Sequence, residues 1–276
     1  MPNLPDDFCP NTYKSLNSDL NSNASDDDIR HHYLNHGIKE GRRYKNVPVP
    51  KQEPEKSQTH NSNVYPKIIG YIHIGQIGSK WHVTFDMIIN AVKASGLYDQ
   101  THEIRIAVVN NENSILPDAK LNDPKFKIVG HGPASLYERL TLTHMRNSSN
   151  NEDCQYWYAH TKGISHFENI TEKTENVKSW IKLMIKWNFL EWRTASNKLL
   201  SHDVYGCDYT GNPSPHFSGN FWWANSQYVR TLPSTIGDNY CDPEFWICRR
   251  HENIICNIHA SGLDGGDHYF HNCYHE

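Results

Sequence analysis

Apolar residues run along the chain in two rhythms, short continuous blocks and helical spacing. Lys67-Ile68-Ile69-Gly70-Tyr71-Ile72-His73-Ile74 is almost unbroken, the pattern of a strand covered on both faces. Phe85, Ile88, Ile89 and Val92 keep helical spacing up to Ser95-Gly96, where a helix would stop. Further blocks predict strands over Glu103–Asn110, Phe126–Gly130 and Gln155–His160, with a helix over Leu136–Met145 between the last two. The longest helical pattern spans Glu172–Leu200, with Val177, Trp180, Ile181, Met184, Trp187 and Leu190 on one face. A short strand over His202–Asp208 comes next. Beyond it lie helix starts at Tyr228-Val229 and at Asp242–Ile247, and a strand through Ile254–His259. Strands alternating with helices predict an α/β fold, a mixed sheet flanked by helices, with ligands at the carboxyl ends of the strands.

One stretch combines both kinds of signal. The polar loop Gly211–Pro215 runs into His216-Phe217-Ser218-Gly219-Asn220-Phe221-Trp222-Trp223-Ala224, an aromatic strand interrupted by Gly219. A glycine inside a strand marks a bulge or the close approach of another backbone or a ligand. Phe221 and Trp222 read as core. His216, Ser218, Gly219 and Asn220 read as site candidates, because such polar groups are costly to bury without partners.

The N-terminal region is organised differently. Residues 1–45 predict a small helical module in which Asp26–Asp28 acidify a helix start and Gly37 stands where a C-cap would end it. Residues 46–65 are rich in Pro, Lys, Glu, Gln, Ser and Asn and read as a flexible linker, so the main domain covers 66–276. A net charge of -4 provides no overall basic field for nucleic acid. No run approaches the roughly 20 apolar residues of a membrane span. Met1–Asp7 has two acids and no apolar core, which predicts no signal peptide. Seven cysteines in no regular framework fit free thiols in a reducing compartment, so the expected location is cytoplasmic.

Four groups fall at or just beyond predicted strand ends. Tyr71, His73 and Gln76 lie at and after the end of the first strand, where a nucleotide commonly sits. His160-Thr161-Lys162-Gly163 leaves the fourth; a lysine there can act as a point charge on a diphosphate, or be a solvated turn residue. The Gly219 stretch is the third group. Asp242 and Glu244 are the fourth, acids beside Trp246 that could orient or deprotonate a hydroxyl, or simply start a helix. Cys248-x-x-His251 and Cys256-x-x-His259, with His268, His271, Cys273 and His275 in the tail, raise a zinc alternative. The pairs are closer together than in a usual finger, and Cys256 reads as a strand-core residue.

Tyr158-Ala159-His160-Thr161-Lys162-Gly163, the Trp-rich helix, Asp203-Val204-Tyr205-Gly206 and His216–Ala224 together resemble a family of glycosyltransferase-like proteins of bacteria, algae and large DNA viruses. The resemblance covers most of Lys67–His259. The N-terminal Asn17-Ser18-Asp19-Leu20 and His32-Tyr33 through Gly37, Glu40-Gly41-Arg42 resemble a small helical module found beside such domains, with Ser18 in place of the usual proline. The resemblance implies a GT-A-like, Rossmann-related fold and transfer of a sugar from a nucleoside-diphosphate sugar, a UDP-sugar favoured, to a glycan or other hydroxyl acceptor in polysaccharide or protein glycosylation. A viral enzyme of this kind would work in the host cytoplasm.

On that reading Tyr71, His73, Gln76, His160, Thr161, His216, Ser218, Gly219 and Asn220 bind substrate, Lys162 stabilises the leaving diphosphate, and Glu244 or Asp242 is the base. GT-A enzymes usually carry Asp-x-Asp at the fourth strand's exit to hold a divalent metal, and here His160-Thr161-Lys162 stands instead. That departure implies transfer with no required cofactor, or a Mn2+ or Mg2+ site elsewhere using Asp208 and His259, or an inactive nucleotide-sugar or glycan-binding module of the same fold.

Overall fold

The computed structural model describes residues 4–5, 8–17, 20, 24–38, 42, 44, 66–78, 80–112, 118–161, 163, 167, 171–250, 253–263 and 265–274. The side chains of Leu16 and Gly265 are also outside this description. The chain divides into two compact units, Met1–Ser62 and Asn63–Glu276. The predicted linker, 46–65, lies outside the described residues, as do Lys162, His251 and His275.

In the first unit, α1 (Pro10–Leu16) and α2 (Asp26–His32) enclose a cluster of Tyr13, Ile29 and Tyr33, with Phe8 and Tyr44 packed on it. Ser25 and Asp28 form a capping box, and Asp26, Asp27 and Asp28 fill the first turn of α2. Gly37 does not cap this helix. It ends a π-helical continuation, Tyr33–Gly37, and its missing side chain makes room for Tyr13, whose hydroxyl lies 2.2 Å from where a Cβ would be.

The second unit is built on β1 (Ile68–Gly75), β2 (Thr101–Asn110), β3 (Phe126–Pro133), β4 (Gln155–His160), β5 (Val204–Gly206), β8 (Trp222–Asn225) and β9 (Ile255–Asn257). These form one seven-stranded sheet in the order β3-β2-β1-β4-β8-β5-β9. β1 to β4 are mutually parallel, β8 is antiparallel to both its neighbours, and β9 is parallel to β5. Two short strands, β6 (Tyr209–Thr210) and β7 (His216–Phe217), pair as a separate hairpin. This is the mixed α/β sheet that the apolar pattern predicts.

One apolar layer joins Ile68, Ile72 and Ile74 to α3 (Trp81–Ala94) and α6 (Glu172–Ile185). The other joins Ile69 and Tyr71 to Leu142 and Met145 of α5 (Arg139–Ser148) and to Trp246 of α9 (Asp242–Trp246). Every residue of β1 is buried, which is why its sequence does not alternate.

The long helix predicted over Glu172–Leu200 is interrupted. After α6 the backbone widens into a π-helical stretch, Lys186–Leu190, before α7 (Trp192–Lys198). The extra residue in that turn rotates the later residues about the helix axis, so Leu190 is exposed instead of buried, while Phe189 and Trp192 take the core positions. The widened turn presents two carbonyls to the sheet: Trp223 Nε1 donates to Asn188 O at 2.8 Å and the Tyr205 hydroxyl to Trp187 O at 2.9 Å.

Gly70 leaves room on β1 for the ring of Trp157, its register partner on β4. A Cβ there would lie 2.1 Å from the Trp157 ring, whose indole N–H donates to Thr101 Oγ1. Gly70→Ala is therefore expected to cost about 1–3 kcal/mol by overpacking. A fall in the urea midpoint at unchanged m-value would show it; an unaltered midpoint would mean that the ring has room to move.

Candidate functional site

The chain order in the sheet reverses beside β1: β2 and β3 are laid down on one side, and the chain returns to place β4 on the other. At such a switch point the loops leaving the carboxyl ends of the two strands diverge and leave a crevice. His73 and His160 are paired in register at those ends. A cleft of about 80 Å³ opens there, lined by Tyr137, Glu138, His160, Asn220, Tyr240 and Glu244.

Its floor is held by one turn. Between β7 and β8, Gly219 and Asn220 both adopt positive φ, 90° and 59°. The single aromatic strand expected here, with a bulge or close approach at Gly219, is thus two strands in different sheets joined by a left-handed turn. Gly219 is required twice over: by its φ and because Met184 Sδ would lie 2.4 Å from a Cβ. The close approach comes from α6. The turn's peptide groups reach both ways, as the Gly219 N–H donates to Glu244 Oε1 at 3.2 Å and the Gly219 carbonyl accepts from His160 Nε2 at 3.0 Å. Asn220 Nδ2 donates to Glu138 Oε2 at 2.5 Å, while its Oδ1 accepts from Trp222 Nε1 at 2.7 Å.

Glu138 Oε2 also accepts from the Tyr158 hydroxyl at 2.6 Å, and its Oε1 lies 3.8 Å from His160 Nδ1. Burial, the Glu138 charge and the hydrogen bond to Glu138 raise the Tyr158 phenol well above its ordinary pKa, so it remains a donor. Behind the cleft, His73 is buried and shares a hydrogen bond of 3.0 Å with Thr141 Oγ1. Burial pushes its pKa down to about 4, with His160 also lowering it and Glu138 opposing. His73 is a neutral strut there.

His160, Asn220 and Glu244 are the sequence-derived candidates that line the cleft, with Gly219 contributing its backbone. The others have different surroundings. Tyr71 is fully buried, and its hydroxyl accepts from Arg105 at 2.7 Å in a network with Glu152. Gln76 is buried, its side chain accepting from Asn110 at 3.4 Å, and the Thr161 hydroxyl accepts from the Gly75 N–H at 2.9 Å. His216 Nδ1 donates to Ser214 O at 2.7 Å, and the Ser218 N–H donates to Asp208 O at 2.9 Å. Asp242 clips a loop, accepting from the Asn239 N–H and from Arg249.

The residues suggested for a metal do not fit one. Asp208 accepts from His268 Nε2 at 2.9 Å and from the Ser261 N–H at 2.6 Å. Burial would raise this carboxyl, but those hydrogen bonds outweigh it and hold it below its ordinary pKa. The His259 ring instead stacks on Trp187. At the β4 exit His160 is committed to Gly219 and Thr161 to Gly75. Cys248 packs in one layer and Cys256 in the other, on opposite faces of the sheet. Among the described residues no three His, Cys, Asp or Glu side chains converge on one point.

Tyr137, Glu138 and Tyr240 were not legible as candidates. Glu138 falls inside the helix that the sequence pattern predicts over Leu136–Met145, whereas in the structure it lies in the connection between β3 and α5. Tyr137 has φ 47° and ψ -137°, a combination that glycine normally takes. Strain of this kind costs about 1–3 kcal/mol and collects at functional sites.

The geometry has two testable outcomes. Tyr137→Gly should be more stable than Tyr137→Ala by about 1 kcal/mol, because both lose the ring and only glycine relieves the backbone; equal midpoints in urea would contradict the strain. For His73, the unfolded state titrates near 6.5 and the native state near 4. Between those values the unfolded chain binds more protons, so stability is lost as pH falls through the window, by up to about 1.4 kcal/mol per unit. His73→Gln should flatten that acid limb in thermal unfolding from pH 7 to 4, whereas an unchanged limb would place the titration elsewhere.

No curated protein sequence matches the chain. Among solved structures, 4-diphosphocytidyl-2C-methyl-D-erythritolsynthase from Anaerococcus prevotii DSM 20548 aligns with a TM-score of 0.41 at 9% identity, over 70% of this chain and 87% of that one. HddC from Yersinia pseudotuberculosis aligns with a TM-score of 0.40 at 9% identity, over 74% of this chain and 97% of that one. Likeness at this level does not establish shared chemistry. A family model described as "Domain of unknown function (DUF8361)" matches residues 88–236, more than half of the chain, and the protein belongs to that family.

Proposed function

We propose that this chain is a GT-A-like glycosyltransferase that moves a sugar from a nucleoside-diphosphate sugar to a hydroxyl acceptor. The observation that carries the reading is the meeting of Glu138, Glu244 and His160 on the Gly219–Asn220 turn at the switch point of the sheet. These residues are far apart in sequence, and packing alone does not require two carboxylates and an imidazole to share a small cleft.

In this reading the donor lies across the carboxyl ends of β1 and β4, with its diphosphate near the connection from Gly75 to α3 and beside Lys162. Glu244 is the base. It takes the proton of the acceptor hydroxyl as the oxygen bonds to the anomeric carbon, and the bond from that carbon to the diphosphate oxygen breaks with its electron pair leaving on the nucleoside diphosphate. Glu138, held by Tyr158 and Asn220, orients the reacting hydroxyls with His160. Lys162, the cation next in sequence after the β4 exit, stabilises the charge that develops on the leaving diphosphate.

Thermal shift with nucleoside diphosphates and nucleotide sugars, with and without Mn2+, tests donor binding, since a ligand of the folded state must raise the midpoint. A shift without Mn2+ is expected, and none with any nucleotide would contradict the reading. Glu244→Gln should keep the shift while release of nucleoside diphosphate falls at least about 100-fold. Unchanged turnover would remove Glu244 from the reaction.

A further inference from the structure

The geometry points to an uncharged saccharide as the occupant of the Tyr137–Tyr240 cleft, bound as acceptor, with the donor's diphosphate kept outside; this rests on the transferase reading above. Two observations carry it, the charge of the cleft and the rings at its rim.

Among the described residues the cleft has six lining residues, which include two glutamates and no lysine or arginine. The nearby Arg139 is occupied, since its guanidinium donates to Gly237 O at 2.8 and 2.6 Å and to Asn239 O at 2.6 Å. A diphosphate in this space would face two carboxylates with no cation among the lining residues, in a partly enclosed site where repulsion is poorly screened. Uncharged hydroxyls face the opposite situation. Carboxylate oxygens have several acceptor positions, and sugar hydroxyls donate to them.

The rim supplies the apolar half of the recognition. Tyr240 is 74% exposed and Tyr137 42% exposed, yet their rings meet at 88° with centroids 5.1 Å apart. Two rings at a right angle make a corner, one face and one edge, against which the C–H face of a pyranose can pack while its hydroxyls reach Glu138, Glu244 and Asn220. Rings with a polar tip suit a ligand that is apolar on one face and wet on the other. The corner is also held in advance: Arg139 ties down the Gly237–Asn239 segment leading to Tyr240, and its guanidinium lies 5.8 Å from the Tyr137 ring centroid. A pre-set corner loses little freedom when a ligand binds.

The test uses the full chain and neutral oligosaccharides of glucose, galactose, mannose and N-acetylglucosamine, observed by saturation-transfer NMR and titrated by calorimetry. At least one neutral saccharide is expected to bind. Tyr240→Ala should weaken it about tenfold and Tyr240→Phe little, while the thermal shift with nucleoside diphosphate stays unchanged in both. Absence of binding by every neutral saccharide, binding undiminished in Tyr240→Ala, or preference for spermine over all sugars would each overturn the inference. A saccharide that binds through Tyr240 in a protein that binds no nucleotide would leave the saccharide site standing and overturn the transferase reading, and with it the acceptor role.

Discussion

The peptide groups of the Gly219–Asn220 turn are the constraint on which the site depends. A single left-handed turn gives its N–H to Glu244, its carbonyl to His160 and its side-chain amide to Glu138. Three functional groups from three separate segments are therefore positioned by two consecutive residues. The turn is itself fixed from behind, because Met184 and Trp180 of α6 occupy the space a side chain at 219 would need. Neither element can move without moving the carboxylates of the cleft.

The surrounding architecture serves that turn. β8 is antiparallel between β4 and β5, so the chain enters it from the same edge at which the parallel strands end. That reversal brings residues 219 and 220 beside His160. The π-helical stretch after α6 presents the Asn188 carbonyl to Trp223, tying the helix to β8 by a buried hydrogen bond. Such a bond contributes only about 1 kcal/mol net, but losing it would leave a buried donor unpaired at a larger cost. His268 at the tail stacks on Trp180 with centroids 4.3 Å apart, which completes the support of Gly219 from the far side.

Most of the fold was legible in the sequence because period is a direct consequence of burial. β1 reads as a strand since both its faces are covered, and α3 reads as a helix since one of its faces is. The π-helical shift at Lys186–Leu190 was not legible, because hydrophobic spacing does not report an extra residue in a turn whose carbonyls are claimed by distant aromatics. The lining of the candidate site was legible where a polar residue interrupts an apolar strand end, as at His160 and Asn220, or opens a helix, as at Glu244. The same logic singles out Tyr71 and His73, which do not line the cleft: one pairs with Arg105 and the other with Thr141, partners that only the packing of β2 and α5 brings near. Glu138 and Tyr240 carry no local signal strong enough to single them out, since their meaning arises from a turn and a rim assembled by the tertiary fold.

The central claim is that the turn at Gly219 assembles a transfer site at the switch point of the sheet. A crystal structure with a bound nucleoside diphosphate tests it most directly. The account predicts the diphosphate at the carboxyl ends of β1 and β4, beside Lys162, with the Glu244 carboxylate facing the space its sugar would fill. A nucleotide bound at any other place on the sheet, or a Glu244 turned away from that space, would contradict it.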